Sequence, residues 1–190
     1  MKVLGVVGSP RKEGNTATLV ERVLEGARSV GAETEAVYLG EMDINPCRAC
    51  ADCKKTGQCT QMDDMQGVYQ AIGRARGLVL GSPVYFDHIS AQTKIFIDRL
   101  YCYRNTVHGV VNFPPGYKGM VAITYEAQNP TRYDYILDWM KERLEHYHRV
   151  QVMDSLKAHD TNNRPVNERA DLLEKAYQAG RLLGNHVKVL

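Results

Sequence analysis

The sequence contains no run approaching the ~20 consecutive apolar residues of a membrane span, and residues 1–20 show no basic segment leading into an apolar one. Both absences argue against export or insertion, so the chain is expected in the cytoplasm. No block of five or more basic residues occurs either, and 24 Lys and Arg nearly balance 22 Asp and Glu for a net charge of +2. A nucleic-acid or anionic-membrane partner therefore has no electrostatic support. There is no internal repeat, no low-complexity segment, no G-x-G-x-x-G and no G-K-[ST]. The last two absences remove the dinucleotide fingerprint and the P-loop. What remains is 190 residues with 44% hydrophobic content, enough to bury one substantial core, and a single domain over 1–190 is expected.

Against that background the cysteines stand out. Four of five fall in one run, Cys47, Cys50, Cys53 and Cys59, with the spacing C-x2-C-x2-C-x5-C in a loop over 44–62. Two-residue gaps let a tight loop turn successive thiolates inward onto one small object. Bacterial ferredoxins use a similar run, but their next cysteine follows after three residues and serves a second cluster. Here Lys54-Lys55-Thr56-Gly57-Gln58 is long enough to return Cys59 to the same centre, with Gly57 available for a positive-φ turn. One [4Fe-4S] cluster is the favoured reading. Structural zinc, which usually takes two knuckles from separate stretches of chain, is the runner-up, and disulfides rank last without a mark of secretion. Cys102, in Leu100-Tyr101-Cys102-Tyr103, reads as a small core residue.

Strand and helix signals alternate along the rest of the chain. Strands are expected at Lys2–Val7, Thr34–Leu39, Gly77–Gly81, Gly119–Tyr125 and Val150–Met153. Helices are expected over Asn15–Val30, from Asp63-Asp64 to about Ala75, over Ser90–Leu100, from Thr131 to about His146, and from Asn167 to about Asn185. Five such units predict an α/β protein with a doubly wound, five-stranded parallel sheet in the flavodoxin-like order 2-1-3-4-5, sandwiched in three layers.

In that arrangement ligands bind beyond the carboxyl ends of the strands, at the switch point beside strand 1. The loop there reads Gly8-Ser9-Pro10-Arg11-Lys12-Glu13-Gly14-Asn15-Thr16. Ser9, Asn15 and Thr16 offer hydrogen bonds, Arg11 a fork for phosphate, and the following helix its N-terminal N–H groups. A mononucleotide phosphate suits this loop, the alternative being an ordinary polar turn. Strand 3 ends in Gly81-Ser82-Pro83-Val84-Tyr85-Phe86, where backbone groups and two aromatics suit the edge and face of an isoalloxazine ring, or simply close a strand.

Gly8-Ser9-Pro10-Arg11, Gly14-Asn15-Thr16, Ser82-Pro83-Val84-Tyr85-Phe86 and Lys94-Ile95-Phe96-Ile97-Asp98-Arg99 together resemble the NAD(P)H-dependent FMN reductase superfamily of flavodoxin-like fold. The cysteine run narrows the resemblance to the iron-sulfur flavoproteins of anaerobic archaea and bacteria. The likeness is strongest over residues 1–100. It implies FMN, with phosphate on Ser9, Arg11, Asn15 and Thr16 and the ring along Pro83, Val84, Tyr85 and Phe86. It further implies a [4Fe-4S] cluster on Cys47, Cys50, Cys53 and Cys59. The assembly implied is a homodimer or homotetramer in which one subunit's cluster approaches a neighbour's flavin. Two departures stand out: Phe86-Asp87-His88-Ile89-Ser90 has no glycine after the aromatic, and Thr124-Tyr125-Glu126-Ala127-Gln128 replaces the glycines expected after strand 4.

Pairing a one-electron centre with a flavin predicts an oxidoreductase that collects single electrons from ferredoxin or a similar donor. It would deliver them to a small oxidant such as a quinone, oxygen or peroxide. The alternative is an NAD(P)H-dependent FMN or quinone reductase whose cysteine loop holds zinc or no metal. No protein nucleophile or acid is required. His88 and Tyr85, near the expected ring, and the pairs His146/His148 and Tyr133/Tyr135 are read as structural.

Overall fold

The computed structural model describes residues 1–105, 110–111 and 113–188. Lys2–Val7 (β1), Glu33–Tyr38 (β2), Ala75–Tyr85 (β3), Lys118–Thr124 (β7) and Gln151–Ala158 (β8) form a parallel sheet in the order β2-β1-β3-β7-β8. Asn15–Ser29 (α1), Met65–Arg74 (α3), Ala91–Arg99 (α4), Asp134–His148 (α5) and Ala170–Lys188 (α6) are the connecting helices. Asp52–Thr56 (α2) is a short helix inside the cysteine loop, and His88–Ile89 (β4), Arg104–Asn105 (β5) and Val110–Val111 (β6) make small antiparallel pairings.

Successive strand residues point to opposite faces, and the core divides accordingly. Leu4, Val6, Leu78, Leu80, Val121 and Ile123 pack on the side of α3, α4 and α5. Val3, Val7, Val79, Met120 and Ala122 pack on the side of α1 and α6. The three layers and the strand order match the flavodoxin-like expectation. On the second face α1 and α6 cross almost backbone to backbone. A Cβ on Gly180 would lie 1.9 Å from the Val23 carbonyl oxygen, and one on Gly26 would lie 2.0 Å from that of Tyr177. Only glycine permits that approach.

Strand 3 does not stop at Ser82-Pro83. Beyond the parallel sheet, Val84 and Tyr85 pair antiparallel with Ile89 and His88, so Phe86 and Asp87 become the tip of a two-residue hairpin. The last strand is also longer than expected. As the sheet's edge it has a single neighbour, so the polar Asp154, Ser155 and Lys157, which read as a strand end, are accommodated. Helix α6 starts at Ala170 because Val166–Glu168 first forms one 3-10 turn. No described helix is long and apolar enough to cross a membrane.

Candidate functional site

At the carboxyl ends of β1, β3 and β7 lies an open cleft of about 460 Å³. Its walls bring together all eight residues expected at the mononucleotide: Ser9, Arg11, Asn15, Thr16, Pro83, Val84, Tyr85 and Phe86. The phosphate loop is shaped from within, since Ser9 is 5% exposed and its Oγ accepts the Arg11 backbone N–H at 3.0 Å. The Asn15 Oδ1 accepts the Val166 N–H at 2.8 Å, tying α1 to the turn before α6. Thr16 is buried, with its hydroxyl 2.7 Å from that of Thr124. Much of the side-chain hydrogen bonding expected to face a ligand thus fixes the loop. The helix end remains: Gly14 is the N-cap of α1, no side chain caps it, and first-turn N–H groups have no partner inside an α-helix. With Arg11 on the same wall, these donors and the helix dipole fit a phosphate.

The loop also needs its glycine. A Cβ on Gly8 would meet Thr93 Oγ1 at 1.8 Å, and the Gly8 N–H donates to the Gly81 carbonyl at 2.8 Å. Behind this contact Ser82, Ser90 and Thr93 form a buried hydroxyl network: Thr93 Oγ1 donates to Ser82 Oγ at 2.9 Å, and Ser90 Oγ donates to the Gly8 carbonyl. Ser90 caps α4 by accepting from the Thr93 N–H at 3.2 Å. On the ring side Phe86 and Asp87 both have positive φ, 46° and 60°. Asp87 is held by the Tyr133 hydroxyl on its carboxylate and the Tyr135 hydroxyl on its carbonyl. This strained tip leaves Phe86 fully exposed and Tyr85 44% exposed at the cleft mouth. Thr124, Tyr125, Glu126, Thr161 and Asn162 complete the wall, and of these the last two carried no recognisable sequence signal. His88 does not line the cleft and packs edge-on against Trp139 at 5.0 Å.

The four run cysteines, Cys47, Cys50, Cys53 and Cys59, line a second cavity of about 580 Å³. Left-handed backbone at Ala49, Ala51 and Gly57 turns the chain between them. Burial pushes the Cys53 thiol up, and the other three thiols raise it further, which reflects their shared neighbourhood. Among the described residues, no three His, Cys, Asp or Glu side chains converge closely enough to hold a metal ion. The thiols surround a space instead. Arg48, Lys54, Arg104 and Arg143 also line it, together with Lys94, which is paired with Asp98 of the same wall at 2.7 Å, and the net positive charge suits an anionic, thiolate-ligated group.

The base of this loop is a polar clasp that sequence reasoning missed. Arg99, the last residue of α4, is 1% exposed, and its Nη1 and Nη2 meet the two Asp63 carboxylate oxygens at 2.6 and 3.1 Å. Asp63 also accepts the N–H groups of Asn45 and Met65 at 3.0 and 3.1 Å, while Asp64 accepts that of Asp43 at 2.7 Å. Burial works to raise the Asp63 carboxyl, but Arg99 and the two N–H groups hold it below its ordinary value. Gln66 Nε2 donates to the carbonyls of Cys59 and Gln61 at 3.0 and 2.7 Å. Cys102 is buried beside the loop, its thiol pushed up to about 11 by burial first and then by Cys59 and Cys53.

A doubly wound sheet with an uncapped helix N-terminus at its first loop and aromatics at its third defines a flavodoxin-like protein whose cleft fits a mononucleotide. The family profile described as NADPH-dependent FMN reductase matches residues 1–133, and the chain belongs to that family. That family's description names FMN, which supports FMN as the mononucleotide. An iron-sulfur flavoprotein of Methanocaldococcus jannaschii is 43% identical over 117 residues, covering 58% of this chain and 61% of that protein. One of Archaeoglobus fulgidus is 38% identical over 111 residues, covering 57% and 50%. The matches thus span about half to three fifths of those relatives. Among solved structures, an NAD(P)H:quinone oxidoreductase from Methanothermobacter marburgensis has a TM-score of 0.72 at 17% identity, covering 96% of each chain. A flavodoxin from the domain Archaea has a TM-score of 0.62 at 16% identity, covering 99% of each. These two likenesses bear on the fold.

Proposed function

We propose that this chain is an electron-transfer flavoprotein that holds FMN and one [4Fe-4S] cluster. It takes electrons from a ferredoxin-type donor and delivers them to a small oxidant such as a quinone, oxygen or peroxide. The observation that carries the reading is the lining of one cavity by four thiols, in a chain whose separate cleft fits a mononucleotide. The iron-sulfur flavoproteins of the two archaea named above support it. When bound, such a cluster supplies one-electron transfer and FMN one- or two-electron chemistry.

The chain's own residues then have separable tasks. Arg11 and the first turn of α1 bind phosphate. Pro83 to Phe86 present backbone groups and aromatic faces to the ring, and the hairpin tip keeps that side of the cleft open. Cys47, Cys50, Cys53 and Cys59 supply the cluster's thiolates, with the surrounding cations offsetting their charge. A homodimer or homotetramer is the assembly proposed. Phe86 at the cleft and Met62 beside the cysteine loop are exposed apolar side chains that an interface would cover.

The family description favours a second reading, an NAD(P)H-dependent FMN or quinone reductase whose cysteine loop holds zinc or no metal. Iron, acid-labile sulfide and flavin per chain, measured on protein purified without oxygen, decide between them. The expected result is about four iron and four sulfide with one FMN. FMN with zinc or with no metal would overturn the cluster and leave the nicotinamide-dependent reading.

A further inference from the structure

The clasp beneath the cysteine loop contains an ion pair whose position is hard to justify on stability alone. The side chains of Arg99 and Asp63 are 0% and 3% exposed. Buried pairs are commonly no better than well-packed apolar side chains of the same volume, because desolvation offsets attraction. Arg99 nevertheless aims its guanidinium at the loop. Nη1 donates to the Asn45 carbonyl at 2.8 Å as well as to Asp63, and Nη2 donates to Cys59 Sγ at 3.5 Å as well as to Asp63. Its Nε is buried and has no partner among the described residues. Among the described residues, its guanidinium hydrogen bonds all go to the segment between β2 and α3: to Asn45 before the cysteine run, Cys59 at its end and Asp63 after it.

We infer that Arg99 is the positioning residue for the fourth cluster ligand, fixing Cys59 Sγ and setting the reduction potential of the group it helps to hold. This rests on the cluster reading above. The chemistry is local: a hydrogen bond and a positive charge at a ligating thiolate stabilise the more negative, reduced form of an iron-sulfur cluster, and so raise its potential. The fork geometry matters because one planar group must satisfy a carboxylate bidentately and still reach a sulfur and a carbonyl. Asp63 orients the fork, and α4 supplies a rigid mount. The run's first three cysteines have no equivalent partner among the hydrogen bonds of the described residues.

The experiment compares wild type with Arg99→Lys and with the double variant Arg99→Met/Asp63→Asn, which leaves no buried charge unpaired. Each is purified without oxygen, with FMN content and circular dichroism as controls for the fold. The readout is the cluster's midpoint potential in a dye-mediated titration followed by electron paramagnetic resonance, together with the cluster's lifetime in air. Arg99→Lys is expected to lower the potential and shorten the lifetime several-fold with FMN retained, because an ammonium paired with Asp63 does not span to the sulfur. The double variant is expected to shift both further in the same direction. Wild type carrying a normal cluster, with potential and lifetime unmoved in Arg99→Lys, would overturn the assignment of Arg99 alone. Wild type without iron and sulfide would overturn the cluster reading and this inference together.

Discussion

The two sets of site residues lie in different walls of the molecule, Arg11 in the cleft and Cys59 in the thiol cavity, with no lining residue shared. Their substitutions should therefore separate. On the proposed FMN site, Arg11→Ala removes one charge-assisted contact to phosphate, worth roughly 1.5–3 kcal/mol, and should weaken FMN about tenfold to a hundredfold with iron content unchanged. Cys59→Ala should abolish the cluster and leave FMN bound. Flavin titration and iron analysis on both variants check this, and loss of both cofactors in either one would show the sites to be a single unit. The twelve residues proposed from the sequence all line one cavity or the other and were legible because Gly-Ser-Pro-Arg and the cysteine spacing are local patterns. Arg99 and Asp63 were not, although both stood in segments already singled out. Their partnership spans 36 residues and arises only when α4 folds back against the cysteine loop.

That return makes α4 the element joining the two sites. Its N-terminal Ser90 and Thr93 bind the backbone and hydroxyls behind the phosphate loop, and its C-terminal Arg99 enters the cysteine loop. Nine helical residues span about 13 Å, so the distance between the two anchor points is fixed by helix geometry rather than by a loop. The β3–β4 hairpin works differently. Composition placed a strand end at Ser82-Pro83, because the hairpin pairing depends on the short strand His88–Ile89, which is too brief to register as a pattern. The missing glycine after the aromatic is explained by its tip: Phe86 holds a φ of 46° without one, and the hydroxyls of Tyr133 and Tyr135 pin its neighbour Asp87. A left-handed non-glycine residue costs on the order of 1–3 kcal/mol, so Phe86→Gly should leave the melting temperature unchanged or raise it. The same change removes an aromatic from the cleft mouth and should weaken FMN. A marked drop in melting temperature would mean that the Phe86 ring, despite its full exposure, holds the hairpin.

At the scale of the whole molecule, acid stability turns on a group that lines the thiol cavity but supplies none of its proposed ligands. His148 closes α5, is 5% exposed, packs its ring 5.3 Å from that of Phe113, and has a buried Nδ1 with no hydrogen-bond partner among the described residues. Burial lowers its pKa from 6.5 to about 4, and the nearby Arg104 guanidinium pushes in the same direction. The folded chain thus holds this imidazole neutral while the unfolded chain takes up a proton near pH 6.5. The unfolded state binds more protons throughout that interval, so stability is full above about pH 6.5 and falls as the pH drops toward 4. The loss is on the order of 3 kcal/mol for a shift of that size. Asp63 does not confuse the window, because its carboxyl lies below the ordinary 3.8 and its contribution fades only in stronger acid. His148→Phe removes the titrating group while keeping a flat ring against Phe113. Urea midpoints taken at intervals from pH 7.5 to 4.5 should fall steeply for wild type and much less for the variant. Because His148 lines the thiol cavity, iron content is followed in both proteins alongside the urea midpoints, and parallel slopes at equal iron content would rule His148 out as the acid-sensitive group.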